Sequence, residues 1–410
     1  MAVALASRAP IRPRLSLGLL TIQHALLHGQ AALYPLVYLA VIDEFGVTAA
    51  TIIILSTVAA FATGMVQLSF GVLTRHISRR TLLGAGGLLM ATGTALQSVA
   101  PAFPWFAGAN VVSRLGAAPQ HPVGNALIAD QFPSRRTGTA IAVHVAGGNI
   151  GTVVVGFAAA ASIGLLGWRG AVLLLGMVAL VFAVAILLLV GEHRRTVEDG
   201  AHIAPARQLY RRVVQDRDMR WLFLATTLGG GSRGLGVLNI FVPLYLDQVV
   251  GLDGATIGLM YGLLLAASVP GPLVAGWLSD RIGRKPVIVA VYVAGAASLS
   301  LFVLAGNNLA WLWIGVFALS LTSFVESPQL QALVADMATP ELRDAAFSIY
   351  FALAFGVGSL WGLLYGAVAD LGGPGQGLGI AFWIMAVSSV VAALATMRIH
   401  IPRNRRPAPA

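Results

Sequence analysis

A hydrophobic run of about bilayer length, repeated twelve times, restricts this chain more than any other feature. A helix crossing a hydrocarbon core of about 30 Å needs about 20 apolar residues. Runs of that length lie at approximately Leu15–Val41, Ala49–Leu73, Thr81–Val99, Trp105–Ile128, Thr137–Leu165, Ala171–Val190, Trp221–Val249, Ala255–Leu278, Pro286–Ala305, Leu309–Met337, Ala345–Ala369 and Gly377–Met397. With 57% hydrophobic and 10% charged residues, and a mean hydropathy of +0.82, the chain has too few charges to cover these segments with a soluble surface. It reads as an all-α polytopic membrane protein with twelve transmembrane helices.

The net charge of +10 would fit a nucleic-acid partner if the basic residues formed one face. They do not. Of the 26 lysines and arginines, all but Arg114, Arg169 and Arg233 fall in the termini or in alternate loops that share one side. That is the positive-inside pattern. It excludes a nucleic-acid partner and places both termini in the cytoplasm of a multi-pass plasma (bacterial inner) membrane protein, in contact with membrane lipid. Arg8, Arg12 and Arg14 precede a first run too long for a cleavable signal, so that run is expected to remain as a helix. The charged connector from Glu192 to Arg220 divides the chain into residues 1–191, a basic linker at 192–218, and residues 219–410. Part of it, Ala206 to Asp218, reads either as an amphipathic helix or as a solvated linker. Absence of cysteine excludes disulfides and thiolate metal sites, and no His-Glu-x-x-His or Walker motif is visible, so neither metal nor cofactor is expected.

The second half repeats the first. Gln120-His121-Pro122, followed by Leu-Ile-Ala-Asp130, recurs 206 residues later as Glu326-Ser327-Pro328, followed by Leu-Val-Ala-Asp336. Gly71 to Arg80 matches Gly276 to Lys285 at an offset of 205, and Gly46 and Thr51 meet Gly251 and Thr256 at the same offset. Six spans are therefore used twice in parallel orientation.

The stretch Gly276-Trp-Leu-Ser-Asp280-Arg281-Ile-Gly283-Arg284-Lys285-Pro286 resembles the loop signature of the major facilitator superfamily between spans 2 and 3. The first-half copy departs from it, with Arg75, His76 and Ser78 where the family has Asp, Arg and Gly. Gly167-Trp168-Arg169 also resembles the family. The resemblance implies two pseudo-symmetric six-helix halves with helices 1, 4, 7 and 10 lining a central cavity, a small-molecule substrate and a monomeric protein that is not an enzyme. Within that family, His121-Pro122 together with Gly147-Gly148-Asn149-Ile-Gly151 is similar to fosmidomycin-resistance-type exporters. Gly276, Asp280, Arg281, Gly283, Arg284 and Lys285 are then expected to form a gating latch, in which Gly276 allows close helix approach and the arginines meet acids. The competing reading is a basic loop that only sets topology.

The ionisable residues inside spans fall mostly on helices 1, 4, 7 and 10. His24 and His28 share a face of helix 1; Arg114 and His121 share one on helix 4; Arg233 sits in a glycine-rich break, Gly229 to Gly236; Glu326 lies on helix 10. Charges are costly in lipid and mark pathways. Arginine pairs with carboxylate or phosphate, so His24, His28, Arg114, Gln120, His121, Asn149 and Arg233 are candidate contacts for an anionic or zwitterionic solute. Glu326 is the first candidate for proton coupling and His121 the second. The alternative is that Arg114 pairs with Glu326 and only holds helices together. The expectation is a proton-coupled secondary carrier. Competing readings are a proton-driven efflux antiporter for drugs or antimetabolites, a non-transporting receptor, and an intramembrane hydrolase based on Gly230-Gly-Ser232-Arg-Gly234, which lacks the strand-turn-helix setting a nucleophile elbow needs.

Overall fold

Lipid offers no partner for backbone N–H and C=O groups, so each apolar run must close its own hydrogen bonds as a helix. The computed structural model describes residues 10–74, 76–132, 134–192, 206–339 and 342–400, and among them the regular secondary structure is helical throughout. The first half contains α1 (Pro13–Phe45), α2 (Ala49–Gln67), α3 (Arg79–Gln97), α4 in two pieces (Phe103–Ala117 and Gln120–Gln131), and one long stretch, Ser134–Leu189. Gly167, at φ 67°, bends that stretch into α5 (134–166) and α6 (168–189). The second half contains α7 (Arg217–Gly229, continued after a break by Asn239–Tyr245), α8 (Gly254–Ala266 and Pro270–Ile282) and α9 (Arg284–Leu304). It ends with α10 (Leu309–Thr322 and Glu326–Met337), α11 (Arg343–Phe351 and Trp361–Leu371) and α12 (Gly373–Met397). Eight stretches among the described residues are long and apolar enough to span a membrane. One of the eight holds α5 and α6 together, while α3, α4 and α7 fall outside them. α7 is broken over 230–238, α4 carries Asn110, Arg114, Gln120, His121 and Asn125, and α3 carries Gly84, Gly86, Gly87 and Gly93 with several polar residues. The twelve expected spans are thereby accounted for.

Two compact units result: Met1–Val47 with Met65–His202, and Thr48–Gly64 with Ile203–Ala410. The first part of α2 thus belongs with unit 2, where it packs on α11. A Cβ on Gly362 would collide with Thr57 Oγ1, and one on Gly64 would meet the backbone of Gly356. The linker helix, Ala206–Gln215, puts Leu209, Tyr210 and Val213 into the core of unit 2 and exposes Arg207, Arg211 and Arg212. Its amphipathic face is therefore met by protein. Asp216 ends the linker helix and caps α7, accepting from the backbone N–H of Asp218 and Met219 at 2.9 Å each.

The sequence repeat is also a repeat of contacts. Arg79 pairs with Asp130 in unit 1, and Arg284 pairs with Asp336 in unit 2 at 3.4 Å. Arg80 donates to the carbonyl of Val190 at the end of α6; Lys285 donates to those of Met397 and Ile399 at the end of α12. In both units a cation thus satisfies the orphan carbonyls of a helix terminus. Gly46 and Gly251 both close helices in the left-handed conformation, at φ 62° and 73°, and Gly167 and Gly373 take φ 67° and 70° at the corresponding α5–α6 and α11–α12 turns.

Several parts of the signature differ from expectation. A Cβ on Gly276 would have Gln329 Nε2 as its nearest neighbour at an ordinary 3.9 Å, so close approach is not what that position requires. Arg281 lies over the Trp277 ring at 3.6 Å, where cation–π attraction supplies what an acid was expected to supply. Gly283 takes φ 96°, which favours glycine there. The Asp280 side chain lies outside the described residues.

Closest packing in unit 1 runs between α1 and α5. Gly147, Gly148 and Gly151 face Thr21, the His24–His28 pair and Ala25, and a Cβ on Gly151 would collide with the Ala25 carbonyl oxygen. Gly151→Ala is expected to destabilise the protein by about 1–3 kcal/mol through overpacking. Gly18→Ala, with nothing within 4 Å of its new methyl, should hold or raise stability. Thermal unfolding of the two purified variants in detergent checks both directions.

Candidate functional site

Three spans break where proline forces them to. Pro122 has no N–H for the Ala118 carbonyl, and α4 is interrupted at 118–119; Pro328 stands in the same relation to Phe324, and α10 is interrupted at 323–325. Pro270 breaks α8 in the same way after Ala266. In α7 glycines do the work. A 3₁₀ turn at Gly230–Ser232 leads to Arg233 in extended conformation (ψ 139°), then a π turn at Gly234–Leu238. A Cβ on Gly229 would collide with the Tyr292 hydroxyl, and one on Gly234 would lie 2.6 Å from the Phe324 ring. The breaks of α7 and α10 meet directly, since Gly234 N donates to the Ser323 carbonyl at 2.9 Å.

At that meeting point Arg233 Nε donates to Glu326 Oε1 at 2.8 Å, with side chains 7% and 5% exposed. Arg233 also donates to the carbonyls of Ala354 and, at 3.5 Å, Thr226. Glu326 is the first residue of the second piece of α10, where the helix dipole favours a carboxylate. Its other oxygen, Oε2, is buried without a partner, and Glu326 lines a small cavity with Ser232, Tyr292, Ser323 and Ser389. The pairing considered between Arg114 and Glu326 is therefore not the one formed. Glu326 takes its cation from its own unit.

Unit 1 has no such ion pair at its centre among the described residues. There four histidines gather. The ring centroid of His24 lies 4.6 Å from that of His28, 4.9 Å from His121 and 4.4 Å from His144, with which it stacks. His24 Nδ1 lies 2.9 Å from the backbone oxygen of His144, and His28 Nδ1 lies 3.2 Å from Thr152 Oγ1. Arg114 is half-buried and has no ion pair or hydrogen bond from its side chain among the described residues. Gln120 is buried with both amide atoms unpartnered, and Asn149 is half-buried.

The structure thus brings His24, His28 and His121 together, and separately Arg233 and Glu326. His144 and Thr152 join the first group, although neither is among the residues expected to contact substrate or proton. Their signal is spacing: His144, Gly148 and Thr152 lie four apart on one face of α5, toward α1. A satisfied polar network also escapes the sequence reading. Gln30 Nε2 lies 2.6 Å from both Thr94 Oγ1 and Ser113 Oγ, and Gln97 donates to the Tyr34 hydroxyl at 2.6 Å, joining α1, α3 and α4. On another pair of turns, Glu44 receives Arg169 and the Trp168 indole N–H, the latter at 2.6 Å.

Duplicated contacts around the signature loop agree with the sequence comparison. The profile of the Major Facilitator Superfamily matches residues 20–362, and again 222–410. The chain belongs to that superfamily. It is 25% identical over 342 residues to the "Probable L-galactonate transporter" of Escherichia coli (strain K12), covering 80% of this chain and 70% of that protein. It is 25% identical over 380 residues to the "Gallate transporter" of Pseudomonas putida, covering 82% and 81%. Among solved structures, a mutant of the nucleoside transporter NupG superposes with a TM-score of 0.77 over 95% of this chain and 100% of that one, at 15% identity, a likeness of fold. The protein is an integral multi-pass membrane transporter of this superfamily and not an enzyme.

Removing one partner of a buried ion pair leaves the other charge uncompensated, at a cost of about 3–5 kcal/mol. Arg233→Ala is therefore expected to lower stability sharply, and Arg233→Ala with Glu326→Ala to cost less than the two single losses summed. A double-mutant cycle of thermal unfolding in detergent measures the coupling.

Proposed function

We propose that this transporter carries a small organic anion, coupled to protons, by alternating access. The observation that carries the reading is the contrast between its two intramembrane arginines. Arg233 is neutralised by Glu326, whereas Arg114 has no counter-ion among the described residues, and Gln120, six residues on along α4, has both amide atoms unclaimed. An unpaired guanidinium within a span is costly unless a ligand meets it. A carboxylate suits its paired donors. The two named relatives support the class, since L-galactonate and gallate are both carboxylates.

Proton coupling falls to Glu326. Its Oε2 has no partner, the residue lines a small cavity, and protonation there would weaken its hold on Arg233. A break in that pair loosens the junction of α7 and α10, which the conformational cycle needs. The distribution of basic loops supports a bacterial inner-membrane protein with cytoplasmic termini.

Uptake of radiolabelled sugar acids and aromatic acids into proteoliposomes, with and without an inward proton gradient, tests the reading. Gradient-dependent flux of a carboxylate is expected. Arg114→Ala should lower affinity at least tenfold, and Glu326→Gln should keep counterflow exchange while abolishing gradient-driven accumulation. Flux of a neutral solute alone, or normal gradient-driven transport by both variants, overturns it. Efflux from preloaded vesicles under the opposite gradient distinguishes the antiporter reading.

A further inference from the structure

We infer that His24, His28 and His121 form a binding site for a borderline divalent transition-metal ion such as Zn²⁺, held within unit 1. The ligand nitrogens of the three imidazoles all lie within 4.8 Å of one another. Three nitrogens about 2.0–2.1 Å from a tetrahedral Zn²⁺ stand about 3.3 Å apart, so each has to draw in by less than about 1 Å. Small rotations of the side chains accomplish that. His24 and His28 supply the His-x₃-His spacing that puts two imidazoles on one helical face, and His121 approaches from the first turn of the second piece of α4.

The surrounding hydrogen bonds set the tautomers for ligation. The Thr152 hydroxyl reaches the Gly148 carbonyl at 3.3 Å, where it can only donate, so at 3.2 Å it accepts from His28 Nδ1–H. The His28 Nε2 lone pair is then free for a metal. His24 Nδ1 faces a backbone carbonyl at 2.9 Å, which can only accept, so His24 also carries its lone pair on Nε2. That Nε2 is buried with no partner. A threonine and a carbonyl behind two imidazoles are the orienting contacts that metal-binding histidines use.

Room for the cluster is provided by Gly148. A Cβ there would lie 2.8 Å from His24 Cε1 and 3.1 Å from His28 Cδ2. His28 and His121 are half-buried, so the cluster is not fully enclosed by protein. Imidazole nitrogens suit zinc, copper, nickel and cobalt, and three of them leave a fourth position for water or an anion. This site does not depend on the identity of the transported solute.

The test is metal retention by the full-length protein, purified in detergent through a tag without histidine. After equilibration with Zn²⁺ and gel filtration, about one equivalent per chain is expected by elemental analysis. Co²⁺ should give the intense visible absorption of a tetrahedral site, and X-ray absorption should show imidazole nitrogens near about 2.0 Å. His28→Ala, His121→Ala and Gly148→Val should each remove stoichiometric retention. The isosteric Thr152→Val should weaken affinity about 10–100-fold, while His76→Ala changes nothing. No retained metal in the wild-type protein overturns the site. So does weak binding of several equivalents that survives the His24→Ala, His28→Ala, His121→Ala triple variant. Because the readout is bound metal and not flux, failure here leaves the carrier reading standing.

Discussion

Every interruption of a helix inside lipid has to find substitutes for the hydrogen bonds it gives up, and the junction of α7 and α10 is built around that demand. Glycine opens α7 and proline opens α10. Each break leaves unpaired backbone groups, and the two breaks resolve part of the problem in each other through Gly234 N and the Ser323 carbonyl. Arg233 resolves more of it. Its guanidinium reaches the carbonyls of Thr226 and Ala354 as well as Glu326, so one side chain serves backbone and carboxylate together. A lysine would present a single point of charge and could not span three acceptors in the same way. The ion pair is therefore part of how the broken helices are held. Any event that weakens it is transmitted directly to backbone geometry.

Much of this was legible in the sequence, because apolar length and repetition need no tertiary knowledge. The repeat aligned Gly46 with Gly251, which close helices alike, and Asp130 with Asp336, which each pair with a loop arginine. The partners of the acids were less visible. Arg114 and Arg233 have equal claim on Glu326 when only span position is known, and the choice is made by the bend of α7 that turns Arg233 toward α10. The His144 contact was hidden for a similar reason. A lone histidine on a long apolar helix has no distinguishing neighbour in sequence, and only the glycine face of α5 against α1 brings it onto His24.

Polar groups in unit 1 divide into two kinds. Gln30, Tyr34, Thr94, Gln97, Asn110 and Ser113 bond to one another and tie three helices together. Such a network is costly to disturb, since each member left alone in a low-dielectric interior loses its partner without gaining water. Gln120, His24 Nε2 and, at the edge of that network, Asn110 Oδ1 are buried without partners. Within one unit, then, some polar residues are spent on packing and others are kept available.

The repeat shows where the halves differ. Positions 28 and 233 are equivalent at an offset of 205, and positions 120 and 326 at 206. Unit 2 fills these two slots with Arg233 and Glu326, which bind each other and so close the site to outside charge. Unit 1 fills them with His28 and Gln120, the amide being nearly the same shape as the carboxylate but without its charge. With no acid at position 120 to engage it, His28 turns to Thr152 and joins His24 and His121. Arg114 likewise keeps its charge uncompensated among the described residues. Where unit 2 holds an ion pair, unit 1 thus holds a histidine and an amide. The same two positions of the repeat therefore carry a closed ion pair in one unit and none in the other among the described residues.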